Sequence, residues 1–190
     1  MTRIVKGLLG LVLVAYPFLV YFAIQQQALG LLTLFLITVA ILRIFLVNKL
    51  SPAQLNIAKQ SALLLMVLAA LSWGLKDSQW FMVYPVVMSI IMLVFFGQSL
   101  FQDKSIIQRF AEMKDTDITA EKQRYMRKLT MVWCCFFVLN ACIAFYTWQF
   151  TSLNVWTLYN GLISYLLMGL LIGGELIFRW FFVLNNTNTK

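Results

Sequence analysis

Long apolar runs separated by short polar breaks dominate the chain, and the runs have membrane length. A helix advances about 1.5 Å per residue, so about 20 mostly apolar residues cross a hydrocarbon layer about 30 Å thick. Six stretches qualify: Gly7 to Ile24, Ala28 to Val47, about Ile57 to Leu75, Phe81 to Phe101, Met131 to Phe150, and Trp156 to about Phe178. The third has fifteen uncharged residues from Ser61 to Leu75, and reaches full length if Lys59 extends its ammonium back to the headgroups. The first is longer than the apolar core of a usual signal peptide, contains Pro17, and is followed by Gln25 to Gln27 without a clear small-x-small site. It reads as a retained span. The pattern predicts an all-α fold, a polytopic transmembrane helix bundle forming a single integral membrane domain over 1–190.

The breaks set the direction. Fourteen of the fifteen Lys and Arg residues fall at the start of the chain, in the second and fourth connections, or near its end; Lys76 is the exception. Cations are retained on the cytoplasmic side, so the distribution predicts six spans with both termini cytoplasmic. Trp73, Trp80, Trp148 and Trp156 border the exoplasmic turns, and Trp133 and Trp180 the cytoplasmic edge, where amphipathic rings settle. The fourth connection, 102–130, is the one sizeable hydrophilic segment, with seven basic and five acidic residues. Within Asp103 to Lys114, Ile106, Ile107, Phe110 and Met113 recur at helical spacing and predict a short interfacial helix. Thr119 is an expected N-cap for a helix running straight into the fifth span. Arg124, Arg127 and Lys128 then share a face that fits an anionic lipid or the carboxylate of an acyl product. The ordinary alternative is a positive-inside stop signal.

Composition narrows the chemistry. The chain is 62% hydrophobic and 12% charged, with a net charge of +8 and a mean hydropathy of +0.83. Soluble domains carry about 25% charged residues, and cations this sparse do not make a nucleic-acid surface. There is no histidine, hence no imidazole base, His metal ligand, or Ser-His or Cys-His couple. Neither catalytic residues nor cofactor nor metal are expected. Cys134, Cys135 and Cys142 lack metal-ligand spacing and read as buried small apolar residues.

Polar groups in hydrocarbon are costly unless satisfied, so those within the spans are the candidates. Asn140 lies mid-way along the fifth span and Asn160 early in the sixth, each able to act as interhelical glue or to line a site. Glu175 can pair with Arg179 one turn on, or with Arg43 of the second span. Gly169, Gly173 and Gly174 permit close helix packing, within the bundle or between copies. Tyr16-Pro17 and Tyr84-Pro85 repeat a dipeptide in spans one and four, with no wider internal similarity to make it a repeat.

Two resemblances follow from particular residues. Ser105 to Phe110, Arg127 to Trp133, Phe136 to Asn140 and Trp156 to Gly161 resemble the second half of the bacterial intracellular septation protein A family. The likeness covers mainly residues 98–178. Over nearly the whole chain, Tyr84-Pro85, Phe96 to Leu100, Arg124-Tyr125-x-Arg127, Val132 to Cys134, Phe136-Phe137 with Asn140, and Tyr159 to Gly161 through Tyr165 to Gly169 and Glu175 resemble a family of bacterial integral membrane proteins encoded beside aryl polyene synthases. That family often has a proline opening its fifth helix, where this chain has Ile118-Thr119.

The second resemblance implies a non-enzymatic accessory protein of the bacterial inner membrane. It would support acyl or aryl polyene lipid biosynthesis, with anionic membrane lipids and cytoplasmic synthesis proteins as partners. The "ketosynthase" label carried by some members does not transfer, since such condensing enzymes use Cys with His. The first resemblance implies an envelope or septation structural protein. A small-molecule or lipid transporter is a third expectation, with Glu175 and Asn140 as its testable residues.

Overall fold

The computed structural model describes residues 15–46, part of the stretch 59–74, 79–112 and 119–182. All of the described secondary structure is helical. Helix α1 is Ala15–Gln25 and α2 is Leu29–Leu46. Helix α3 is helical wherever it is described between 59 and 74. A single turn, α4 (Gln79–Met82), leads into α5 (Tyr84–Leu100), followed by α6 (Ile106–Glu112) and α7 (Ala120–Phe150). The chain ends in α8 (Leu153–Leu158), a π-helical turn at Tyr159–Ile163, and α9 (Ser164–Phe182).

Among the described residues three helices are long and apolar enough to cross a membrane: Gln79–Leu100, Ala120–Phe150 and Leu153–Phe178. Shorter apolar helices lie at Ala15–Gln25 and Gly30–Ile41. The start of the expected first span, and Trp73, Lys76 and Lys114, lie outside the described residues. Many large apolar side chains point outwards, Leu31 and Leu170 each 71% exposed, while the interior is built around Trp156, Tyr16, Phe81 and Leu36. Such a surface is costly in water and ordinary against lipid.

Local chemistry explains the element ends. Thr119 has extended backbone and its Oγ1 accepts from the Lys122 N–H at 3.4 Å, which opens α7 at the expected cap. With 31 residues α7 is about 46 Å long, so its charged first turns continue beyond its apolar part. At the other end of the bundle α1 turns into α2 through a helix-ending loop. Ala28 N–H reaches back to Ala23 O at 2.9 Å, and Gln27 N–H to Ile24 O at 3.2 Å. Gln27 occupies the left-handed position, at φ 54°, where glycine is usual.

The interhelical seams are aromatic. Phe96 of α5 packs edge-on against Phe137 of α7 at 5.1 Å, with Trp133 at 6.1 Å from the same ring. Tyr125 stacks on Phe178 at 5.8 Å and ties the start of α7 to α9. Cys135 and Cys142 are exposed and Cys134 half-buried, so the cysteines face outward from α7 instead of filling the core.

Helix α6 falls within the expected segment, of which Met113 and Lys114 lie outside the described residues, and it is held by polar contacts as well as apolar ones. Ser99 Oγ accepts from the Ile106 N–H at 3.0 Å and donates to Phe96 O at 2.7 Å. Ile106 is buried while Phe110 is exposed. Lys104 Nζ meets Glu112 Oε2 at 2.9 Å, and the Gln108 side chain donates to Glu112 Oε1 at 3.1 Å. The Lys104 bond, helped by the Gln108 bond and the nearby Lys104 and Arg109 charges, holds the Glu112 carboxyl below its usual range against an opposing cost of desolvation.

Candidate functional site

Pro85 organises the deepest part of the bundle. It has no N–H, so Phe81 O loses the donor that a helix would supply four residues on. Val86 N–H turns to Val83 O at 3.0 Å, which frees Met82 O as well. Buried carbonyls need partners, and two other helices supply them. Tyr16 Oη donates to Phe81 O at 2.7 Å, and Trp156 Nε1 donates to Met82 O at 3.2 Å. Both side chains are essentially fully buried, and the Tyr16 and Tyr84 rings lie 4.6 Å apart. The repeated Tyr-Pro dipeptides thus lie side by side, their tyrosine rings tilted by 40°. Trp156, expected at the membrane edge, is instead a core donor.

Beside this break lies a cavity of about 260 Å³ between α1, α5, α7 and the last helical segment. Its wall takes Tyr16 and Pro17 from α1, Pro85, Met88, Ser89 and Met92 from α5, and Phe137 and Asn140 from α7. Asn160, Ser164, Tyr165 and Met168 close it. No Lys, Arg, Asp or Glu lines it among the described residues. The lining residues of α5 and α9 come from their first turns. With Phe137 and Asn140 well before the 151–152 turn, and Tyr16 and Pro17 at the end of α1 away from the 25–28 turn, the cavity sits near the middle of the helices, away from α6.

The two amides meet here in different states. Asn140 Nδ2 donates to Ser89 Oγ at 2.9 Å, Ser89 Oγ donates to Pro85 O at 2.8 Å, and Tyr159 Oη donates to Asn140 Oδ1 at 3.0 Å. Donor and acceptor run in one direction along that chain, and both ends of the amide are engaged. Asn160 Nδ2 donates to Trp156 O at 2.9 Å and to Thr147 Oγ1 at 3.2 Å. A backbone carbonyl only accepts, so the nitrogen must face Trp156 and the orientation of this amide is fixed. Its Oδ1 is buried and has no partner among the described residues. The π turn carries Asn160 in place; its closing bond runs from Ser164 N–H to Tyr159 O, and π turns cluster at functional sites. Gly161 lets α1 approach, for a Cβ there would lie 2.9 Å from the Phe18 ring.

No protein-family model matches the chain, and no curated protein or solved structure matches it either.

The remaining sequence candidates lie elsewhere. Arg127 Nη2 donates to Leu100 O at 2.7 Å, closing the end of α5, while Arg124 and Lys128 are exposed on α7. Glu175 is half-buried, some 15 residues beyond Asn160 and so about 22 Å along the helix. The side chain of Arg43 lies outside the described residues, although its backbone belongs to α2. A Cβ added at Gly169, Gly173 or Gly174 meets nothing within 4 Å among the described residues, so the close packing belongs to Gly161.

A larger surface recess, about 540 Å³, lies beside α6 and is lined by Phe101, Gln102, Asp103, Lys104 and Arg109. Its cations are already engaged, Lys104 with Glu112 and Arg109 with Gln102. It offers less to a ligand than the cavity beside Pro85.

Proposed function

We propose that this chain is a non-enzymatic, six-span protein of a bacterial inner membrane, with both termini and the α6 segment on the cytoplasmic side. It supports membrane-associated synthesis of acyl or aryl polyene lipids by lodging their lipophilic product among its helices. The observation that carries the reading is the uncharged cavity, apolar along its methionines and polar at Asn160. A carboxylate-coupled carrier would place an acid at such a site, whereas Glu175 stands well away from it. The basic first turns of α7 supply the cytoplasmic surface for carrier-bound intermediates or anionic headgroups.

The test is a deletion strain. Reduced polyene lipid in the membrane, restored by the native gene but not by Met168→Trp at matched protein level, is the expected result. Normal amount and membrane placement of polyene lipid after deletion would overturn the reading.

A further inference from the structure

Several hydroxyls in and behind the cavity wall already donate their hydrogens within the protein. The Ser89 hydroxyl is spent on Pro85 O, Tyr159 on Asn140 Oδ1, and Tyr16 on Phe81 O. Ser164 Oγ donates to Asn160 O at 3.2 Å and Thr147 Oγ1 to Ala144 O at 2.9 Å. With those hydrogens committed, Asn160 Oδ1 is a buried acceptor with no partner among the described residues, on a residue 3% exposed, while Asn140 Nδ2 keeps a second hydrogen. A ligand that meets Asn160 Oδ1 must bring a hydrogen. A charged ligand is disfavoured, because no described lining residue offers a counter-charge and an uncompensated buried charge is expensive.

The shape agrees with this polarity. From Asn160 to Met168 the wall runs about 12 Å along α9. Met88 and Met92 face the same space from α5, and thioether side chains conform readily to an irregular chain. The volume lies a little below the about 300 Å³ at which ligand pockets commonly begin, which fits the head and first part of a chain better than a whole lipid.

From these observations we propose that the cavity binds a neutral, single-chain amphiphile whose head donates a hydrogen bond to Asn160 Oδ1, an aliphatic alcohol being the simplest case, with its chain along Met88, Met92 and Met168. The inference rests on the reading of the cavity as a place for a lipophilic product and adds the chemistry of the head. One ordered water also satisfies a buried carbonyl oxygen, but it leaves the methionine end unfilled.

The experiment uses the full chain in phosphatidylcholine nanodiscs and a photoreactive diazirine analogue of decan-1-ol. Labelling is expected on peptides containing Met88, Met92 or Met168. Decan-1-ol should compete at about tenfold lower concentration than its methyl ether, which has the same chain but no hydrogen to donate. Asn160→Leu should abolish that preference. Because this variant also loses the Thr147 and Trp156 bonds, Met168→Trp provides the second arm: it fills the chain end, keeps every hydrogen bond described above, and should cut labelling at least tenfold. Equal competition by alcohol and ether in the native chain, or undiminished labelling of Met168→Trp, would overturn the proposal and leave Oδ1 to water. Alcohol-selective labelling with normal polyene lipid in the deletion strain would sink the synthesis role and keep the site; a polyene defect without such labelling would do the reverse.

Discussion

Proline in a membrane helix creates a debt of two carbonyls at Phe81 and Met82, and the residues that answer it are Tyr16 and Trp156. Removing one donor strands a buried acceptor, so Tyr16→Phe is expected to destabilise the protein by about 1 to 2 kcal/mol. In a Pro85→Ala background the new amide N–H can return to Phe81 O, and the same substitution should then cost less than half as much. Thermal unfolding of the four purified proteins in detergent measures that coupling; equal costs in both backgrounds would mean that the hydroxyl does not serve the proline. Little of this was legible in sequence. The Tyr-Pro dipeptides were visible, but a freed carbonyl carries no mark of the donor, 65 positions away in the chain, that will meet it. Trp156 looked like an interfacial anchor because a tryptophan next to a turn usually is one. The amides were visible as polar groups in hydrocarbon, whereas the difference between Asn140, engaged at both its nitrogen and its oxygen, and Asn160, whose oxygen has no partner among the described residues, depends on contacts that only the packed helices determine.

Elements were easier to read than their contacts. The Thr119 cap and the continuation of α7 into the membrane follow from local chemistry, so both could be anticipated. The π turn at Tyr159–Ile163 has no residue signature, and among the described residues it is Gly161, outside the small-xxx-small spacing, that a neighbour presses against. At the α1–α2 turn Gln27 holds a left-handed backbone; Gln27→Gly is expected to stabilise the protein by up to about 1 kcal/mol, read as a rise in melting temperature. At α6 the sign of the pH effect follows from Glu112. Its folded carboxyl is held below the ordinary value, so its contribution is present above the unfolded value of about 4.3 and is lost as pH falls through the folded one. A nitroxide placed at Ile107 should become more mobile on acidification through that range, and Glu112→Gln should remove the dependence. A dependence that persists unchanged in Glu112→Gln would assign the effect to another group.

At the scale of the whole molecule, the polar-ended cavity lies near the middle of the helices, and the basic surface of α6 and the start of α7 lies at one end. In the proposed function intermediates would meet the charged end in the cytoplasm and the product would lodge within the bilayer. The whole account depends on which end faces which compartment. In a chain whose native cysteines are replaced by serine, single cysteines at Lys114 and Ser152 can be tested with a membrane-impermeant maleimide on intact spheroplasts. Ser152→Cys should label at once and Lys114→Cys only after permeabilisation. Immediate labelling at position 114, with position 152 protected until the membrane is opened, would contradict it.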